Sequence, residues 1–216
     1  MVSAKELLGR IRRELEPLNN QILNHPLIRD AEDGKLSMNT IRAFIINQWY
    51  IINHDPKSLA IALSRSRTIE ELEFFKTLLD GDYVALHELM KLMRELGIEV
   101  KDPVTFEVMP DAIQYTHYLS WLANYATTRE FALAITVNMP VWGSNVTRLG
   151  NALRSRYGIR KVGFFDIFKG PYTELENKAV NIAGDLDEDS AVRVINMARI
   201  IQAYEKAFWD AIYSVR

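Results

Sequence analysis

Glu205 lies in the run IIQAYEKAFWDAIY, where its helical neighbours at −7, −4, +3, +4 and +7 are Ala198, Ile201, Phe208, Trp209 and Ile212. A carboxyl group sharing such a stripe loses hydration, which raises its pKa and prepares it for proton transfer near neutral pH. At the stripe's edge it would instead reach water or a neighbouring base. The stretch VNMPVWGSN (residues 137–145) raises a different question. Pro140 has no N–H for the helical ladder, and its ring clashes with the preceding turn. The carbonyl of Thr136 then lacks its usual donor and needs another. Two readings stand: a kink that wraps the helix round a core, or a bend that lines a pocket with Asn138, Trp142 and free backbone groups.

Two further sets have spacing that suits a site. In TIRAFIINQWYIINHD, Ile41, Ile45, Trp49 and Ile52 form one stripe, and Ala43, Asn47, Tyr50 and His54 form another. The second is either a hydrogen-bonding cavity wall or an ordinary amphipathic face with wet tips. Asp80 and His87 lie seven residues apart with Tyr83 between them. That spacing suits a carboxylate orienting an imidazole, or an incidental charge on a solvated helix.

Much chemistry is excluded. The chain has no cysteine, so disulfides, thiolate metal sites and cysteine nucleophiles are absent. G-x-G-x-x-G, P-loop and G-x-S-x-G strings are missing. The Glu-x-x-His pair of helical di-iron bundles is missing too, since Ile22, Ile51, Val84 and Gln114 stand three residues before the histidines. No metal or cofactor is expected. A net charge of −2 gives no global attraction to nucleic acid or an anionic membrane, and RSRYGIRK reads as a solvated loop. No apolar run approaches the roughly 18–20 residues that span a bilayer, and MVSAKELLGRIRRELE lacks a signal-peptide core. The expectation is a cytoplasmic protein without direct nucleic-acid or membrane contact.

The elements that must position these residues are helical almost throughout. At 216 residues, 48% hydrophobic and 25% charged, the chain fits one globular domain over residues 1–216. Ser3 with Glu6 starts a first helix containing Pro17. NHPLIRDAEDGKLS is a connector with a short turn, after which Ser37 or Asn39 starts a second helix that Pro56 bends or breaks. A third begins near Thr68 and stops at Gly97. IEVKDPVTFEVMP is the one extended candidate. DAIQYTHYLSWLANYA, the interrupted helix around 128–157, GPYTELENKAVNIAG and a final helix from Asp189 to Tyr213, capped by Asp187 or Asp189, complete a bundle of seven or eight helices.

In chain order these pieces resemble the TenA family, the thiaminase II relatives within the haem-oxygenase-like all-α fold. ILNHPLIRDAEDGKLSMNTIRAFIINQWYII is similar to its opening pattern, AIQYTHYL to its Ala-Tyr-Thr helix, MPVWG to the segment bearing its catalytic cysteine, and YEKAFWDAIY to its C-terminal Glu-x-x-Phe-Trp-Asp signature. The resemblance implies hydrolysis of an aminopyrimidine from thiamin breakdown by a cysteine nucleophile, a carboxylate on the second helix and a C-terminal glutamate. Glu205 matches that glutamate and Tyr115 the tyrosine of Ala-Tyr-Thr. The family's aspartate falls on Trp49, its following tyrosine on Ile52 and a further pocket tyrosine on Phe168. The cysteine falls on Asn138 or Pro140, depending on the alignment, so the thiol reaction is lost. A homotetramer is also implied.

Three functions follow as expectations. In the first, a salvage enzyme uses Glu205 as general acid/base, with a pyrimidine held by Tyr50, His54, His87, Tyr115, Asn138, Trp142, Trp49 and Phe168. The second is an inactive binding or regulatory protein, and the third a purely structural role. A di-iron sister group shares the fold; Asp80 and His87 echo its first ligand pair, but Phe168, Tyr172 and Leu175 occupy its later positions and cannot ligate.

Overall fold

The computed structural model describes residues 1–215. Side chains with an oxygen one residue ahead of an apolar stripe start the long helices. Ser3 caps α1 (Ala4–Leu23), Ser37 caps α3 (Met38–Arg65), Thr68 caps α4 (Ile69–Glu95) and Asp187 caps α9 (Glu188–Ser214), each accepting from a backbone N–H of the first turn. Thr127 and Glu130 form a reciprocal capping box at the start of α6 (Thr128–Arg156). With α5 (Pro110–Tyr125) and α8 (Thr173–Ala183), these are the seven helices that the spacing predicts. Two short ones join them, α2 (Pro26–Glu32) in the connector and α7 (Gly163–Ile167). No helix among the described residues is long and apolar enough to cross a membrane.

The prolines do not break their helices. Pro17, Pro56 and Pro140 all lie inside continuous segments, so the interruption expected at residues 137–145 is absent. A missing N–H costs one ladder bond, and buried neighbours on both sides, Val137 and Val141, hold the helix through it. The extended candidate forms a 3-10 turn at Pro103–Thr105 rather than a strand. The strands among the described residues are Val2–Ser3 and Asp185–Leu186, an antiparallel pair two residues long.

Five helices change partner half-way along. The buried apolar residues of α3 join one core from Ile41 to Ile52 and a second at Leu59 and Ala62, with Asp55 between. In α4, Phe74, Phe75 and Leu78 belong to the second core and Ala85, Leu89 and Leu92 to the first, with Asp82 between. Tyr115 and Thr116 separate the two sets in α5, Asn138 in α6, and Gln202 with Glu205 in α9. The bundle thus holds two apolar cores separated by a seam of polar side chains. Burying those groups is unfavourable unless each finds a partner.

Candidate active site

A cavity of about 340 Å³ opens in this seam, walled by α3, α4, α5, α6, α9 and the segment joining α7 to α8. At one end lies Glu205, 3% exposed. The indole Nε1 of Trp209 donates to its Oε1 at 3.2 Å, and Nδ2 of Asn138 donates to its Oε2 at 2.5 Å. The same Asn138 nitrogen donates to Oε1 of Gln202 at 2.7 Å, and Nε2 of Gln202 donates to Asn19 at 2.5 Å. Burial pushes the Glu205 carboxyl up to about 8, against the two hydrogen bonds that favour its anion. It is therefore largely protonated at neutral pH, yet ionises within reach of physiological conditions.

Aromatic rings enclose this end. Trp142 lies 5.3 Å from Trp209, 5.6 Å from Phe208 and 6.0 Å from Phe168, all centroid to centroid. Tyr172 donates its hydroxyl to the Phe168 carbonyl. Its phenol occupies the space that a side chain at Gly143 would fill, since a Cβ there would lie 1.7 Å from the hydroxyl oxygen. Gly143 thus lets the segment that carries Phe168 and Tyr172 lie flat on α6. Burial and the Glu205 charge push the Tyr172 phenol up to about 12, keeping it a neutral donor.

The other end is acidic. Asp55 accepts a hydrogen bond from the Thr116 hydroxyl, and Asp82 stands across the cavity wall on α4. Burial raises both carboxyls above the usual range; for Asp82 the charge of Asp55 adds to the effect. Tyr115 sits between the ends. Burial raises its phenol, and Asp55, Asp82 and Glu205 raise it further, so all three carboxyls act on one hydroxyl. Among the described residues no three His, Asp or Glu side chains gather closely enough to hold a metal ion.

Of the residues singled out in the sequence, Glu205, Tyr115, Asn138, Trp142 and Phe168 line the cavity. Four do not. Trp49 turns its indole outward to donate to the Lys101 carbonyl at 2.8 Å, fixing the connector after α4. Tyr50 stacks on His54 with centroids 4.2 Å apart and pairs with His117 at 3.2 Å, while His54 Nδ1 meets the Tyr50 carbonyl. That face of α3 packs beside α5 outside the cavity. His87 is exposed against Tyr83, and Asp80 pairs with Lys76 on the surface. The cavity face of α3 is instead Gln48, Ile52, Asp55 and Leu59, at i, i+4, i+7 and i+11, with Ile51 beside them. In the sequence, Pro56 marks Asp55 as a place where the helix bends or breaks and gives no sign of a cavity wall. Asp82, two residues past Asp80, points to nearly the opposite side of α4.

The sequence matches the TENA/THI-4/PQQC family over residues 12–214. The chain belongs to this family. Solved structures agree on the architecture. A TenA homologue from Pyrococcus furiosus superposes with a TM-score of 0.82 at 17% identity, covering 96% of this chain and 100% of that one. A Sulfolobus solfataricus chain proposed as a TenA-like thiaminase gives 0.67 at 21% identity, over 99% of this chain and 97% of that one. A domain of unknown function from Shewanella denitrificans with a heme oxygenase-like fold gives 0.77 at 13% identity, over 96% and 92%. No curated protein matches significantly. At these identities the likeness shows the heme oxygenase-like fold alone. Of the two residues on which the TenA cysteine falls, Asn138 and Pro140, only Asn138 lines the cavity, and its amide nitrogen holds Glu205.

Proposed function

We propose that this TenA family member binds a flat aminopyrimidine-type molecule in the seam cavity and hydrolyses a C–N bond on it, with Glu205 moving the proton. The observation that carries this reading is a carboxyl group, protonated near neutrality, facing a ring-sized cavity walled by Trp142, Phe168 and Phe208. The C–N electron pair leaves with the nitrogen, Glu205 donates the proton that completes the amine, and water supplies oxygen to the carbon. The water's surplus proton returns to Glu205, so the enzyme is regenerated. Asn138 and Trp209 hold the carboxyl in place and stabilise it whenever it is ionised. Tyr115 donates a hydrogen bond to the ring edge, and Tyr172, whose proton goes to the Phe168 carbonyl, accepts one. A cytoplasmic homotetramer belongs to the same proposal.

Glu205→Gln keeps the shape and the acceptor for Trp209 while removing the exchangeable proton. Amine release from an aminopyrimidine should fall at least 100-fold in this variant with affinity changed less than about threefold. Turnover equal to that of the unaltered chain would overturn the reading.

A second reading, a binding protein without turnover, draws on Asn138. The residue at the thiol's expected place has no nucleophilic atom and is engaged by Glu205 and Gln202. Thermal stabilisation by aminopyrimidines without any amine released over hours would select this alternative.

A further inference from the structure

The acidic end of the cavity has no part in the proton transfer assigned to Glu205. Asp55 is 5% exposed, and one of its two oxygens accepts from Thr116. Asp82 makes no hydrogen bond or ion pair with any described residue. On the same face of α3, two turns before Asp55, stands Gln48, 3% exposed. Its carboxamide lines the cavity and has no hydrogen-bond partner among the described residues. A polar side chain so buried normally has a partner, and here the cavity is where one would lie. Lys169, exposed at the rim, is the one cation among the lining residues, whereas Asp55, Asp82 and Glu205 are all acids.

We propose that the part of the cavity formed by Asp55 and Asp82 is a subsite for an organic nitrogen cation, an amidinium or ammonium group carried by the ligand, with Gln48, about 10 Å further along α3, meeting a polar atom elsewhere on the same molecule. The inference rests on the cavity being the ligand site, as proposed above, and adds the charge of the molecule it takes. Two carboxyls brought together in a mostly apolar enclosure repel each other and lose hydration; a cation between them relieves both effects. A planar amidinium offers N–H donors to two carboxylates at once. The walls favour an organic ion over a metal. Ile51, Ile52, Leu59, Leu78 and Leu119 surround the acids, and no third ligand completes a coordination shell.

Benzamidinium and benzamide test this, having nearly the same shape but different charge. Calorimetric titration of the full chain at pH 8 should show benzamidinium binding at least tenfold more tightly than benzamide. Repetition in two buffers of different ionisation enthalpy should show a proton released as the cation binds. Asp55→Asn and Asp82→Asn together should bring the two affinities within about twofold of each other, with circular dichroism confirming that the fold persists. If that variant does not fold, the preference and proton release of the unaltered chain decide the matter alone. Equal affinities in the unaltered chain overturn the cation subsite and leave the cavity as a ligand site. Binding of neither probe overturns both. Saturable Mn²⁺ binding that is lost in the same variant overturns it in favour of a metal.

Discussion

Asn138 and Glu205 are joined by one amide nitrogen, which donates at 2.5 Å to the carboxyl and at 2.7 Å to Gln202 on the same helix as Glu205. The asparagine therefore ties α6 to α9 across the seam and fixes which way the carboxyl points. Replacing it with leucine, similar in volume, leaves Gln202 and one Glu205 oxygen without their donor. Stability should fall by roughly 1–3 kcal/mol, the usual cost of orphaned buried polar groups. Urea denaturation checks this, and an unchanged midpoint would mean that the amide contributes nothing.

The raised Glu205 carboxyl makes stability depend on pH in a direction that can be worked out. Its ordinary value is 4.5, and in the folded chain it is about 8. Between these values the unfolded chain has lost the proton and the folded chain keeps it, so the folded state binds more protons. Stability falls as pH rises across that window, by at most about 1.4 kcal/mol per pH unit from this group, and levels off above it. Glu205→Gln should remove this contribution, so the variant gains on the unaltered chain steadily from pH 5 to pH 8. Melting temperatures at unit pH steps measure the difference; a constant gap would contradict it.

Thr116→Val deletes the donor that favours ionised Asp55. The Asp55 carboxyl should then titrate at still higher pH, and stability should fall by about 1–2 kcal/mol. Carboxyl carbon NMR follows the titration directly, and a downward shift would show that Thr116 does not act on the anion.

Gly143→Ala places a methyl group where the Tyr172 hydroxyl now sits, and 2.4 Å from the Phe168 carbonyl oxygen. The segment carrying both residues must lift from α6. We expect a loss of about 1–3 kcal/mol, the range for overpacking, together with at least tenfold weaker binding of any ring held between Trp142 and Phe168. Gly9→Ala on α1 is the control, because its added carbon meets only the Arg13 side chain at an ordinary 3.6 Å and lies outside the cavity. Equal behaviour of the two variants would remove the close fit from the account.

The helices were legible because caps and apolar periodicity are local: Ser3, Thr127 and Asp187 mark their own starts. Glu205 was legible in part: its apolar stripe allows either an enclosed carboxyl or one at the edge that reaches water, and at 3% exposure it is the enclosed one. Asp55 and Asp82 were not. Each looks like a surface acid in its own helix, and only the pairing of α3 with α4 brings them to one cavity. Trp49 and Tyr50 misled for the converse reason. On helices apolar over most of their circumference, several faces are buried, and sequence alone does not say which meets a void and which meets a neighbour.

The polar seam lies between the two apolar layers that supply most of the buried surface. With those layers on either side, a change of guest is confined to the few polar groups between them, at the stability cost that Asn138 and Thr116 carry. Such a scaffold can drift far in sequence and change its clientele while its backbone path endures, and the Pyrococcus furiosus homologue, alike in shape at 17% identity, has the same architecture. Here Asn138 and the two acids Asp55 and Asp82 share that seam.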